Sequence, residues 1–306
     1  MDSLMQNIST WVSAMRLRTL PLSIAGIVVS ACLAHYNGFF EWDIFVLAVI
    51  TTLSFQILSN LANDYGDGIK GTDNEDRIGP ERAIQSGQIS PEELMNAIKI
   101  NIMVSIILAF LLIFSAFGVK HFLLTVLFFL LGFLSISAAI SYTVGDKAYG
   151  YRGLGDLFVF IFFGLLSVIG SYVLFAKEFH HVTFLPAITI GLLSTAVLNL
   201  NNMRDRLSDE KSNKITLAVK LGENKIRIYH NVLVLGAIIV SLLFGILYYT
   251  SPYNLIYFVA YIPLLLHLKR VNGNIDPKLF DPELKKLALT TVLLSILMGL
   301  GHLLPF

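Results

Sequence analysis

Stretches of about 20 apolar residues recur along this chain, the length that carries a helix across roughly 30 Å of hydrocarbon. A backbone in lipid must satisfy its own hydrogen bonds, so such runs fold as helices or not at all. Nine spans are read, at 20–37, 43–63, 95–117, 121–141, 155–175, 183–201, 228–249, 253–268 and 286–305. The eighth is short and carries Pro263. With 55% hydrophobic and 14% charged residues, the 306-residue chain is too apolar for a water-soluble domain of its length. The expectation is an all-α membrane protein, a nine-helix bundle forming one polytopic domain over residues 1–306. Residues 5–18 read as an amphipathic surface lead-in, with Arg16 and Arg18 ahead of Leu20-Pro21. They lack the small-residue cleavage site of a signal peptide.

Cations fall unevenly between the spans. With a cytoplasmic N-terminus, one face carries Lys70, Arg77, Arg82, Lys147, Arg152, Arg204, Arg206, Lys211, Lys214, Lys220 and further basic residues. The other keeps Lys120 and Lys177. That is the asymmetry of a positive cytoplasmic side, so the expected location is the cell (inner) membrane with the N-terminus and long loops cytoplasmic. The formal charge of +1 says nothing about nucleic acid, and no soluble segment interleaves a basic patch with aromatics, so no nucleic-acid partner is expected. Cys32 is the single cysteine, which excludes a disulfide framework and a thiolate metal site. The seven histidines are scattered, and none stands beside a serine or cysteine nucleophile.

Two acidic clusters sit where apolar spans end. One reads Asn63-Asp64-Tyr65-Gly66-Asp67 with Asp73 beyond it, and the other Asn201-Asn202-Met203-Arg204-Asp205 with Asp209 beyond it. A carboxylate near lipid is costly and marks a functional site by default. A single Asp after a span is usually part of a solvated loop; two clusters with the same Asn-to-Asp spacing, both trailed by cations, are not explained that way. Residues four apart share a helix face, so Asn201, Asp205 and Asp209 form one stripe if the sixth helix runs past the lipid boundary. Gly66, Gly68 and Gly71 argue that the second helix unwinds soon after Asp67. The polar connections 64–93 and 202–227 follow the clusters, and Gly87 and Gly222 stand in corresponding places, a weak internal repeat whose interface is a natural site. Converging carboxylates suit Mg²⁺, which completes its shell with substrate phosphates. The residues point to diphosphate chemistry on the cytoplasmic side of a membrane.

The run Asn63-Asp64-Tyr65-Gly66-Asp67-Gly68-Ile69-Lys70-Gly71-Thr72-Asp73, with Asn202-Met203-Arg204-Asp205 and Thr216-Leu217-Ala218-Val219-Lys220-Leu221-Gly222, resembles the intramembrane aromatic prenyltransferase family over nearly the whole chain. Arg18-Thr19-Leu20-Pro21-Leu22, Ser141-Tyr142-Thr143-Val144-Gly145 and Tyr149-Gly150-Tyr151-Arg152-Gly153 are similar to its naphthoate-prenylating branch. The resemblance implies transfer of a polyprenyl group from polyprenyl diphosphate to 1,4-dihydroxy-2-naphthoate, with loss of CO₂ and pyrophosphate. Other acceptors, such as 4-hydroxybenzoate or homogentisate, are the nearest alternatives. It implies two Mg²⁺ ions, one on Asn63, Asp67 and Asp73, the other on Asp205 and Asp209 with Asn201 near. Asp64, adjacent to Asn63, faces elsewhere and holds water or a loop cation as an alternative to metal. The first motif departs from the commonest family spacing, since Gly71 stands where a third acid would and Asp73 follows.

Cations would offset the pyrophosphate charge: Lys70 and Arg204, nearest the acids in sequence, then Arg77, Arg82, Lys147, Arg152 and Lys214. Lys147, Arg152 and the tyrosines 142, 149 and 151 form a pairing suited to an aromatic carboxylate, although aromatics at a membrane boundary commonly serve as interface anchors. Gly164, Gly170 and Gly191 allow close helix approach. Two other classes fit the residues less well. A CDP-alcohol phosphotransferase needs an Ala-Arg after Asp64-x-x-Asp67-Gly68, and Ile69-Lys70-Gly71-Thr72 has none. A non-enzymatic transporter would carry its acids mid-span, not at helix ends.

Overall fold

The apolar runs become helices whose ends are set by short polar signals. In the computed structural model, which describes residues 9–75, 77–274 and 276–304, these are α1 (Ala25–Tyr36), α2 (Trp42–Ile69), α3 (Pro91–Phe117) and α4 (Phe122–Ser141). They continue as α5 (Gly155–Ala176), α6 (Phe184–Lys211), α7 (Leu217–Leu247), α8 (Pro252–Gly273) and α9 (Phe280–Leu303). No strand occurs among the described residues. Eight of these helices are long and apolar enough to cross a membrane. The first expected span is split, because Leu20–Ser23 and α1 meet at a break at Ile24. This is a multi-pass membrane protein.

Local chemistry explains the boundaries. Ser90-Pro91-Glu92-Glu93 starts α3 with a reciprocal capping box and proline in the first turn. Thr216 caps α7 by accepting from the Val219 amide. Residues 202–211 are helical, contrary to the loop expected from their charge: they contain neither Gly nor Pro, and the α6 ladder runs on to Lys211. Only 212–216 remain as a connection before α7. Likewise α2 outlasts Gly66 and Gly68 and ends at Ile69, and the turn comes at Gly71, whose φ of 70° is one that glycine adopts without strain. Behind each motif helix a left-handed glycine precedes or interrupts the next helix, Gly87 before α3 and Gly222 near the start of α7.

Packing divides the bundle. Leu33, Val168, Leu193, Val234, Phe244, Leu264 and Leu294 belong to one core that also takes Ile44 of α2, Leu112 of α3 and Phe128 of α4. Leu58, Leu61, Ile89, Leu94 and Ile98 build a smaller one on α2 and α3. Within lipid, small residues and hydroxyls hold helices together. Gly164 of α5 lies so close to α6 that a Cβ there would stand 2.6 Å from the Cα of Gly191. The Ser54 and Ser105 hydroxyls pair at 2.8 Å between α2 and α3. Outward faces of α3 and α4 expose Ile106, Phe110, Phe114, Phe133 and Leu134, as a lipid-facing surface should. From Phe160 to Gly170, α5 is wound as a π-helix, a form frequent at functional sites, and it borders a cavity inside the bundle.

Candidate active site

The cavity has a volume of about 510 Å³ and is polar at one end and apolar at the other. Phe128, Leu131, Phe162, Phe163, Leu166 and Leu174 line the apolar part. The polar part is built by the last turns of α2 and α6, two helices whose acids arrive on cavity-facing stripes because they recur every four residues. Asn63 and Asp67 come from α2, Asp73 from the turn after it, and Asn201, Asp205 and Asp209 from α6; all six line the cavity.

Two cations bridge the motifs. Lys214 Nζ stands 2.9 Å from Asp67 Oδ2 and 3.9 Å from Asp209 Oδ1. Arg77 stands 3.1 Å from Asp73 Oδ1 and 3.8 Å from Asp205 Oδ2. Burial works against the Lys214 charge, but Asp67 and Asp209 outweigh it and hold its pKa above the ordinary lysine value. Burial, then the Asp67 charge, pushes Asp73 above the usual carboxylate range despite Arg77. Asp73 Oδ2 is buried and accepts no hydrogen bond. An orphaned carboxylate oxygen beside five other oxygen donors is what a hard divalent cation would fill. Among the described residues no three acidic, His or Cys side chains gather closely enough to hold an ion alone. Mg²⁺ held by a few carboxylates completes its shell with water and phosphate oxygens, which suits this arrangement.

The remaining expected residues divide. Arg82 lines the cavity; burial and then the neighbouring Arg16 bring its pKa down to about 9. Asp64 turns away from the cavity and pairs with Arg16 and, at 3.5 Å, Arg82, so of the two roles expected of it the geometry fits the cation partner. Arg204 is buried behind Asp205, donating to it at 2.9 and 2.7 Å, to Asn201 at 2.9 Å and to Asp281 at 2.5 Å. Lys70 does not reach the cavity: its ammonium donates to the carbonyls of Thr143 and Gly145 and lies 4.2 Å from the Tyr151 ring centre. Tyr151 braces the first motif, its hydroxyl donating to Asp67 Oδ1 at 2.7 Å, while Tyr142 and Tyr149 line the cavity. Lys147 and Arg152 do not come to the site. Both side chains are exposed and outside the cavity lining, because the 149–152 turn directs Tyr151 inward. The carbonyl of Arg152 accepts from Lys220.

Other lining residues were not foreseen. Thr52, Gln56, Ser59 and Asn60 continue the α2 stripe below Asn63, and their spacing of three to four residues inside an apolar span is a legible signal. Asp281 and Lys285 of α9 also line it, where nothing local in sequence ties them to the motifs; so does Arg16 of the lead-in, a sequence-level alternative to Lys147 and Arg152 for an aromatic carboxylate.

A model of the UbiA prenyltransferase family matches residues 23–278, which include both acidic motifs. The chain belongs to the UbiA prenyltransferase family. It is 42% identical to 1,4-dihydroxy-2-naphthoate octaprenyltransferase of Escherichia coli (strain K12), over 95% of this chain and 94% of that one. It is 41% identical to the Haemophilus influenzae protein of the same name, over 97% of each. Its fold is similar to that of a UbiA homolog from Archaeoglobus fulgidus bound to DMAPP and Mg²⁺, with a TM-score of 0.63 at 13% identity, over 94% of this chain and 99% of that one. As a UbiA prenyltransferase it has its acidic motifs on two helices that meet only in three dimensions.

Proposed function

We propose that this prenyltransferase transfers a polyprenyl group from polyprenyl diphosphate to 1,4-dihydroxy-2-naphthoate, yielding demethylmenaquinone, pyrophosphate and CO₂. One observation carries the reading: two acidic motifs, joined by Lys214 and Arg77, close the polar end of a cavity whose other end is apolar. A diphosphate with a long hydrocarbon tail has that same division. The acceptor follows from the likeness to the Escherichia coli and Haemophilus influenzae enzymes over nearly the full chain.

Asn63, Asp67 and Asp73 would hold one Mg²⁺, and Asn201, Asp205 and Asp209 a second. Bound Mg²⁺ supplies Lewis-acid stabilisation of the leaving oxygens. The chain's own residues do the rest. Lys214 and Arg77 offset charge on the pyrophosphate as the allylic C–O bond breaks and its electron pair leaves with oxygen. Tyr151 holds Asp67 in orientation, and Arg204 holds Asp205. Phe162, Phe163 and Leu131 exclude water from the allyl cation. The ring carbon bearing the carboxylate bonds the allylic carbon, and loss of CO₂ returns its electron pair to the ring. The excess of Lys and Arg in the connections at this end of the bundle supports a cytoplasmic location for it.

The test is purified protein given a polyprenyl diphosphate, Mg²⁺ and a panel of aromatic acceptors, with products weighed by mass spectrometry. Demethylmenaquinone is the expected product. Product from 4-hydroxybenzoate or homogentisate and none from the naphthoate would assign a different acceptor.

A further inference from the structure

The first turns of α9 lie beyond residues 23–278 that the family model matches, yet they form a wall of the site. Asp281, Lys285 and Ala288 recur at helical spacing and face the cavity. Two contacts fix this turn. On one side Arg204 of the second motif donates to Asp281 at 2.5 Å. On the other, buried Glu283 pairs with His267 at 3.0 Å, and His267 with His230 at 2.9 Å. Lys286 is neutralised by Glu283 at 2.6 Å.

Lys285 is not neutralised. Arg16 and Arg82 share Asp64, Arg77 takes Asp73, and Lys214 takes Asp67. Among the described residues, Lys285 is the cavity-lining Lys or Arg with no carboxylate within ion-pair distance. Its side chain is exposed to solvent, and Leu284 and Ala288 beside it offer an apolar wall on which a flat ring can rest. We propose that Lys285 binds the carboxylate of the aromatic acceptor and so selects carboxylated rings. The proposal rests on the reaction given above. The acceptor is favoured over the diphosphate because Arg77 and Lys214 already stand between the acidic motifs, whereas Lys285 meets an anion arriving from water. Asp281 acts as a positioning residue, tying this helix to Arg204.

The test uses full-length enzyme and two competitive inhibitors that differ only in a carboxylate, 1-hydroxy-2-naphthoate and 1-naphthol. Lys285→Ala should raise the dihydroxynaphthoate KM and the hydroxynaphthoate inhibition constant about tenfold, the low end for a charged hydrogen bond because the site is open to water. The 1-naphthol constant and the prenyl diphosphate KM should stay within about twofold, and Lys285→Arg should recover most of the loss. Equal weakening of both inhibitors, a rise confined to the diphosphate KM, or no change at all overturns the assignment. If wild-type enzyme does not turn over dihydroxynaphthoate, the reaction falls and this assignment with it. Turnover by wild type with an insensitive Lys285→Ala removes the assignment alone.

Discussion

At the scale of single residues, the acids and the cations were legible to different degrees. Asn63, Asp67, Asn201, Asp205 and Asp209 could be placed together because four-residue spacing puts side chains on one helix face. Lys70 and Arg204 were favoured for nearness in sequence, but nearness along a chain says little about which way a long side chain points. Lys214, nine residues past Asp205, is the cation that reaches Asp67. The structure also separates charges that line the cavity from charges that lie outside it. Asp67→Asn and Asp205→Asn should each lower kcat by roughly 100-fold or more, the loss expected when a charge-stabilising group is removed from a dry site. Folding should survive, since Lys214 keeps Asp209 and Arg204 keeps Asp281. Lys147→Ala and Arg152→Ala should leave both KM values within about twofold, as solvent-exposed charges do. Steady-state kinetics on the four proteins checks this; near-normal turnover in Asp67→Asn would remove the metal assignment.

Elements were read well where lipid dictates them and less well where water meets the helix ends. Hydropathy places the middle of a span, because every apolar residue there lowers the free energy of insertion. It is silent on a helix that continues into water, and α6 does so through ten residues of mixed charge before Asn213 turns the chain at a φ of 55°. The close pairing of α5 with α6 was legible as a glycine pattern, but its partner was not, since Gly164 and Gly191 are far apart in sequence. Gly164→Ala tests that contact. Its Cβ would meet the Gly191 Cα at 2.6 Å and the Ala187 carbonyl at 2.7 Å, both backbone atoms that cannot swing aside. Overpacking of this kind costs about 1–3 kcal/mol. The variant should melt below wild type in detergent and lose activity with it, because α5 and α6 line the same cavity. An unchanged melting temperature would show that the helices separate freely.

For the molecule as a whole, all-α architecture, repeated crossing of the membrane and grouping of both motifs at one end followed from apolar length and acid position. The cavity did not, because it is enclosed by side chains from many helices, α9 among them, whose meeting depends on tertiary contact. Cation asymmetry makes a further claim about orientation. In a Cys32→Ser background, Lys147→Cys and Ser212→Cys should react with an impermeant thiol reagent from the cytoplasmic side only. Glu178→Cys should react from the opposite side. All three positions lie outside the helices. The reverse pattern would turn the site away from the cytoplasm.

The central claim is that this cavity joins diphosphate departure to acceptor decarboxylation. It is tested most directly by acceptor labelled in the carboxylate carbon, with CO₂ and pyrophosphate counted against prenylated product in one Mg²⁺-containing reaction. One CO₂ and one pyrophosphate should appear for each product molecule, and none of the three when Mg²⁺ is chelated. Pyrophosphate released without labelled CO₂, or release undiminished by chelation, would contradict it.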